Sequence, residues 1–527
     1  MQKVELLDTT LRDGAQSEGI SFSVRDKLAI VQTLDALGIP LVEAGNPGSN
    51  PKDAEFFASV KTLKLQHARI AAFGATRKPN TAVADDPQVK SLVSVGVPVL
   101  VIFGKSWDLH VTEVLKTTLD ENLAMIRDTV AYARKHSERV IYDAEHFYDG
   151  WRANREYALA TVAAAAEAGA DTIALCDTNG GRFPEEIAAA TAEVVKLLGK
   201  RAAVGVHTHN DSGLAVANSL AAVRAGAAHV QGTLVGFGER CGNANLSTIL
   251  ANLQLKAKCA CIPADCLPQL TMASRRVAEI ANIALPDDMP YVGTKAFTHK
   301  AGMHMDGVRK CSHSFEHVPP DSVGNARRFL ISEIAGRSAV LERIRKIAPD
   351  VQKGDKVVDA LVAQLKQLEQ SGYQFEGADA SFELLVRKAL GTYQPRFTLE
   401  HYKIVGERPA RNDLEGATAI MKLSVDGCSE ITAAEGDGPV NALDRSLRKA
   451  LDRFYPTLKD VRLTDFKVRV LDGNRATEAR VRVLIESTDG RAIWTTVGVS
   501  TDIIEASWLA LVDSIEFKLT HDQEKPA

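Results

Sequence analysis

The sequence predicts an α/β chain that opens with a closed (β/α)8 TIM barrel, continues through a mostly helical stretch and ends in an α+β domain with an internal pseudo-repeat. Three observations carry this reading. Short apolar strand-like runs alternate with amphipathic helical patterns over about the first 255 residues, and eight such units fill one barrel of roughly 250 residues. No dinucleotide-binding glycine fingerprint follows an early strand, which favours a barrel over an open doubly wound sheet. Near the C-terminus, one strand–strand–helix order occurs twice.

Taken in order, the strand-like runs are Val4–Leu7, Ile39–Val42, Arg69–Phe73, Val97–Phe103, Val140–Tyr142, Thr172–Cys176, Ala203–Val206 and His229–Val235. Helical spacing lies between them, as in Val24, Leu28, Val31 and Leu34, with Ser23 placed to cap the first turn. Gly38, Gly96, Gly169, Gly199 and Gly226 each stand where a helix should stop before the next strand. Glycine takes the left-handed conformation at a helix end with little strain. Beyond the barrel, Val357, Leu361, Leu365 and Leu368 mark an amphipathic helix, and the polar stretch 394–414, with Pro395 and Pro409, reads as a linker.

In the C-terminal part, Ala419, Met421, Leu423 and Val425 alternate with polar residues before the turn Asp426-Gly427. A second strand then leads to Pro439, suited to a first helical turn, and a helix carrying Leu443, Leu447 and Leu451. The order repeats with Val481, Val483 and Ile485, the turn Asp489-Gly490, a strand at Ile493–Val499 and a helix with Trp508, Leu511 and Ile515. The expected boundaries are therefore a barrel at 1–265, helical subdomains and linker at 266–410, and a repeat domain at 411–527.

Composition narrows the class. The chain has 527 residues, 45% hydrophobic and 25% charged, with a net charge of -4. That balance fits a globular protein and argues against a nucleic-acid partner. No apolar run approaches the roughly 18 residues of a membrane helix, and the early entry into a strand leaves no room for a signal peptide, so the cytoplasm is expected. The seven cysteines are scattered, as for free thiols in a reducing compartment. Cys259, Cys261 and Cys266 lack zinc-ribbon spacing, and Cys241 reads as a small packing residue in a glycine-rich block.

Two segments carry chemistry. Asp8-Thr9-Thr10-Leu11-Arg12-Asp13-Gly14 follows the first strand, and His207-Thr208-His209-Asn210-Asp211 follows the seventh. Both stand at C-terminal strand ends, where parallel α/β folds place their active sites. Histidines two apart on a strand point to the same side. With the Asp13 carboxylate they form a facial site for a divalent ion; magnesium, manganese, cobalt and zinc all suit these donors. A lone histidine is usually a packing or surface residue, but this pair, taken with the Asp13 segment, favours the metal.

With a third block, Gly236-Phe237-Gly238-Glu239-Arg240-Cys241-Gly242-Asn243, these segments resemble the metallolyase-type TIM barrels that include 2-isopropylmalate, homocitrate and citramalate synthases. The resemblance implies a divalent metal on Asp13, His207 and His209, with Asn243 beside it and a 2-oxo acid in the open positions. It places Arg12 at the growing oxyanion, where a permanent cation is apt. Glu43 and Glu145 match family glutamates near substrate or metal, Glu43 taken here with the substrate and Glu145 with catalysis. Thr178 matches the threonine that contacts the oxo acid carboxylate, although an Asp-Thr pair at a strand end also serves as a helix cap. His304, oriented by Asp306, matches a catalytic histidine supplied by the partner of a homodimer. Phe315 stands where the family usually has tyrosine, which puts a hydroxyl relay in doubt; Tyr291 is an alternative phenol.

The segments Asp13–Gly19, Glu43–Asn50 and Tyr142–Gly150 most resemble the branch of this family whose reaction, as the resemblance implies, condenses pyruvate with acetyl-CoA and water to give citramalate and CoA. The repeat domain then resembles the regulatory domain that binds an end-product amino acid, isoleucine here, with leucine the alternative. The other readings are a synthase for another 2-oxo acid, a retro-aldol or Claisen lyase, and a non-catalytic amino-acid sensor.

Overall fold

The computed structural model describes residues 2–299, 304, 307–308, 310–329, 337–352, 354–406, 416–471 and 479–524. The chain forms two compact units, Met1–Arg328 and Phe329–Ala527. In the first, eight parallel strands close in sequence order: β1 (Glu5–Asp8), β2 (Leu41–Glu43), β3 (Arg69–Ala75), β4 (Val99–Lys105), β5 (Arg139–Glu145), β6 (Thr172–Asp177), β7 (Ala203–Thr208) and β8 (His229–Gly232). β8 pairs back onto β1, with Leu7 opposite Gln231.

The period of two along each strand divides its residues between two environments. Leu7, Leu41, Ala71, Val99, Val101 and Ile141 form a cluster of their own inside the barrel. Their sequence neighbours Leu6, Val42, Ile70, Leu100, Ile102 and Val140 belong to the large core shared with helix residues such as Ile30, Leu34, Phe56 and Ile126. Followed toward the C-terminal ends, the inward series runs through Glu43, Phe73, Phe103, Asp143, Glu145, Cys176, His207 and Gln231. Most strands thus extend past their apolar runs, because the ladder continues while the side chains turn polar at the barrel mouth. Followed the other way, the series reaches Glu5, Arg139, Thr172 and His229. There Arg139 donates to both Glu5 oxygens at 2.6 Å and to Thr172 Oγ1 at 2.8 Å, closing the floor with ion pairs.

The helix starts and stops agree with the local chemistry. Ser23 and Asp26 form a capping box at the helix Val24–Ala36. Gly38, Gly96, Gly169, Gly199 and Gly226 all have positive φ.

In the second unit, helices Arg337–Ile347, Lys356–Gln370 and Asp379–Ala389 precede two three-stranded antiparallel sheets. The first sheet is Thr398–Gly406, Ala417–Val425 and Cys428–Gly436, followed by the helix Pro439–Leu451; the second is Arg462–Val470, Val481–Thr488 and Ile493–Ser500, followed by the helix Ile503–Glu524. The hairpin turn at Asp426-Gly427 has positive φ at both residues, as a two-residue type I′ loop requires.

One expectation needs correction. Within the stretch 394–414, Thr398–Gly406 is not linker but an edge strand paired with Ala417–Val425, and 407–414 lie outside the described residues. The ladder is irregular between Leu399 and His401, so the half-buried Leu399 falls out of phase with Tyr402 and Ile404 and the sequence does not show a continuous alternation. The boundary between the two compact units, after Arg328, falls inside the stretch 266–410. Each repeat is accordingly three strands and a helix, the outer strand being the one that polar composition hid.

Candidate active site

The inward polar series surrounds a cavity of about 240 Å³, lined among others by Arg12, Asp13, Phe73, Phe103, Asp143, Glu145, Thr178, His207 and His209. Three donors converge there. His207 Nε2 lies 3.2 Å from Asp13 Oδ2 and 3.3 Å from His209 Nε2. Among the described residues this is the one group of His, Cys, Asp and Glu side chains placed for a metal ion, its donor atoms within 4.8 Å of one another and all three residues buried.

The surroundings fit a cation. Asn243 bridges to the backbone of His209, is 2% exposed, and neither atom of its amide has a hydrogen-bond partner. An orphaned buried amide beside a carboxylate and two imidazoles is chemically suited to offer its oxygen to a cation, since it is already desolvated. Room for it comes from Gly238, where a Cβ would stand 2.2 Å from Asn243 Nδ2. Burial by itself would raise Asp13, but the charge of Arg12 and the hydrogen bond from His207 hold it well below the usual carboxylate range. Burial, with His207's charge second, pushes His209 down to about 3, keeping this imidazole neutral as a ligand must be.

Arg12 is held on three sides. Its Nε donates to Glu43 Oε2 at 2.6 Å, its Nη1 lies 3.1 Å from Asp13 Oδ2, and its guanidinium sits 3.9 Å from the centre of the Phe73 ring. Phe73 in turn stacks on Phe103 at 5.0 Å, so the cavity has one aromatic wall. Glu43 does not line the cavity as expected of a substrate-binding residue. It is fully buried behind Arg12, and that burial pushes its carboxyl up to about 7 despite the guanidinium.

Glu145 lines the cavity and pairs with Lys105 at 2.5 Å. Thr178 also lines it, and its Oγ1 accepts the backbone N–H of His146 at 2.9 Å, which ties the loop after β6 to the loop after β5. It is not a helix cap, since the next helix begins at Pro184. His304 is exposed and stacks on Phe315 at 4.3 Å; its own chain does not bring it to the cavity. Asp306 lies outside the described residues. Tyr291 is not among the residues that line the cavity, and its hydroxyl donates to Asn252 Oδ1 at 3.0 Å. Cys241, expected as a packing residue, is exposed.

Sequence reasoning missed Phe73, Phe103, Asp143, Gln231 and Lys105. The available signal was a charged or amide residue breaking an apolar strand run, as Asp143 does after Val140–Tyr142.

Three family models match consecutive parts of the chain: HMGL-like at residues 3–274, a homocitrate synthase post-HMGL domain-like segment at 291–373, and a LeuA allosteric (dimerisation) domain at 376–519. The chain is 49% identical over 524 residues to an (R)-citramalate synthase of Aquifex aeolicus, covering 99% of each. It is 51% identical over 523 residues to one of Synechocystis, covering 98% of this chain and 96% of the relative. A probable 2-isopropylmalate synthase of Methanopyrus kandleri is more distant, at 32% over 517 residues, covering 97% of this chain and 98% of the relative. Identity near one half, sustained through both units, joins the site geometry to one conclusion: the chain belongs to the (R)-citramalate synthase family.

Proposed function

We propose that this chain condenses acetyl-CoA with pyruvate and water to give (R)-citramalate and CoA, with isoleucine as its feedback ligand. The observation that carries the reaction is the convergence of Asp13, His207, His209 and Arg12 on one small cavity with an aromatic wall. A divalent ion held by Asp13, His207 and His209 would supply a Lewis acid for the keto oxygen of the 2-oxo acid. Arg12 stays charged and faces the oxygen on which negative charge grows. Glu43 sets the direction of that guanidinium from behind. Thr178, whose hydroxyl still has its hydrogen to donate, is positioned for the oxo acid carboxylate.

In the condensation a base takes a methyl proton from acetyl-CoA, the new carbon–carbon bond forms at the keto carbon, and the former keto oxygen gains a proton. Water then cleaves the thioester and CoA leaves as the thiol. Glu145 and His304 are the candidate proton carriers. The exposure of His304 away from its own cavity supports its delivery by a second copy in a homodimer, with Phe315 as a stacking ring. Phe73 and Phe103, both lining the cavity of about 240 Å³, offer a compact apolar wall that suits the methyl group of pyruvate.

For the feedback ligand, the second unit offers a cavity of about 590 Å³ with Val440, Leu458, Val461 and Phe466 as apolar lining and Asp444, Arg448 and Lys459 as charged lining. That combination suits an apolar side chain together with an ammonium and a carboxylate.

The test is thiol release from acetyl-CoA and pyruvate by metal-stripped protein before and after manganese is restored. Restoration of turnover in the unsubstituted chain, and its absence in Asp13→Asn, is the expected result. Equal turnover with and without metal would refute the reading.

A further inference from the structure

One buried polar connection in the barrel lies outside the chemistry proposed above. Gln231 on β8 is fully buried and stands in register with His207 on β7. Its Nε2 donates to Asp143 Oδ1 on β5 at 2.7 Å, and its Oε1 lies 2.9 Å from His207 Nδ1. An amide has one donating and one accepting end. With the donating end committed to a carboxylate oxygen, only an acceptor faces the imidazole, and Nδ1–H is the group that satisfies it. The proton of neutral His207 is thereby placed on Nδ1 and the lone pair on Nε2. Nε2 is the atom that faces Asp13 and His209. His209 has no such backing, for its Nδ1 is buried without a partner.

The alternative is that Gln231 merely fills the barrel. An apolar side chain of that size would fill it without the desolvation cost of a buried amide. A carboxylate at 231 would stand against that of Asp143 and lose through like-charge repulsion. Among side chains of this length, glutamine alone donates to Asp143 and accepts from His207 at once.

We propose that Gln231, anchored by Asp143, is the positioning residue that fixes the tautomer and ring orientation of His207, and so sets the affinity of the Asp13–His207–His209 site for a divalent cation. This rests on the metal reading given above. Only one of the two histidine ligands is held from behind, so Gln231 governs His207 while His209 adjusts to the ion.

The experiment is a manganese titration of the full chain followed by electron paramagnetic resonance, on the unsubstituted protein, Gln231→Leu and His207→Ala, with the unfolding midpoint of each metal-free protein recorded alongside. Loss of a group that orients a metal ligand typically weakens affinity roughly 10–100-fold, and Gln231→Leu is expected to fall in that range; its metal-free midpoint falls as well, because Asp143 and His207 lose a buried partner, so affinities are compared at a temperature where every variant is folded. Its turnover should recover at saturating manganese, which a purely structural defect would not allow. Tight binding by Gln231→Leu, equal to that of the unsubstituted protein, overturns the proposal. Absence of manganese binding in the unsubstituted protein removes the metal reading and this proposal with it, a separate and recognisable failure. Should Gln231→Leu not fold, Gln231→Met carries the test, since it keeps the length of the side chain and loses both ends of the amide. Its affinity is expected to fall in the same range, and an affinity equal to that of the unsubstituted protein overturns the proposal.

Discussion

Arg12 shows how much of this site depends on one side chain with several neighbours. It touches Glu43, Asp13 and the face of Phe73, a combination that needs a planar cation with several donors. Arg12→Lys keeps the charge but not this arrangement. It is expected to lower kcat by roughly 100- to 1000-fold, the usual loss when an oxyanion donor is removed; an unchanged kcat under saturating metal and substrates would contradict the role. At the opposite end of the barrel, Glu5 illustrates a linkage to pH. Burial would raise its pKa, but hydrogen bonds from His229 and Arg139 hold it down at about 2, against an ordinary 4.5. A lowered carboxylate stabilises the fold above its unfolded value, and that contribution disappears as pH falls from 4.5 toward 2. The difference in urea midpoint between the unsubstituted chain and Glu5→Gln should therefore be largest near neutrality and shrink over that window; a difference independent of pH would show that Glu5 is not the titrating group. Arg12, Asp13, His207 and His209 were legible because each lies in a short motif of unusual residues. Asp143 and Gln231 were not, because their partners come from strands far away in sequence that meet only when the barrel closes.

Among elements, the strand ends line the candidate site, and one of them is braced by a helix residue. That brace holds the loop after β2. Lys27, buried on the first helix, donates to Ala44 O at 2.8 Å and pairs with Asp53 Oδ1 at 2.5 Å, while Asp53 Oδ2 accepts from the backbone of Asn46. Gly45 has φ 141°, and a Cβ there would meet Asp53 Oδ2 at 2.2 Å, so no other residue fits between strand and strut. Lys27→Met leaves the Asp53 carboxylate buried without its cation, a change that costs about 3–5 kcal/mol. The denaturation midpoint of the barrel should fall accordingly, and a midpoint shift near zero would mean the strut does not support β2. The sequence shows these elements well where apolar period and capping agree, as at Ser23 and the five helix-ending glycines. It shows them poorly at Thr398–Gly406 and Arg462–Val470, because both outer strands are largely exposed and a register irregularity interrupts the alternation of each.

For the whole molecule, each unit carries one candidate site: the barrel has the cavity with Asp13, His207, His209 and Arg12, and the repeat unit has a cavity lined by both apolar and charged residues. The barrel and the repeat were both visible in the sequence, whereas the division near residue 328 was not, since the helices beyond it resemble those before it in composition. The most direct test of the account is acetyl-CoA-dependent thiol release at saturating manganese, comparing pyruvate, 2-oxobutyrate, 2-oxoisovalerate and 2-oxoglutarate, each with and without isoleucine. The account predicts the highest kcat/KM for pyruvate, inhibition by isoleucine, and relief of that inhibition by roughly 10- to 100-fold in Phe466→Ala with kcat unchanged, the size expected for loss of a large apolar contact. A preference for 2-oxoisovalerate, or no thiol release with any of the four acids, would contradict it.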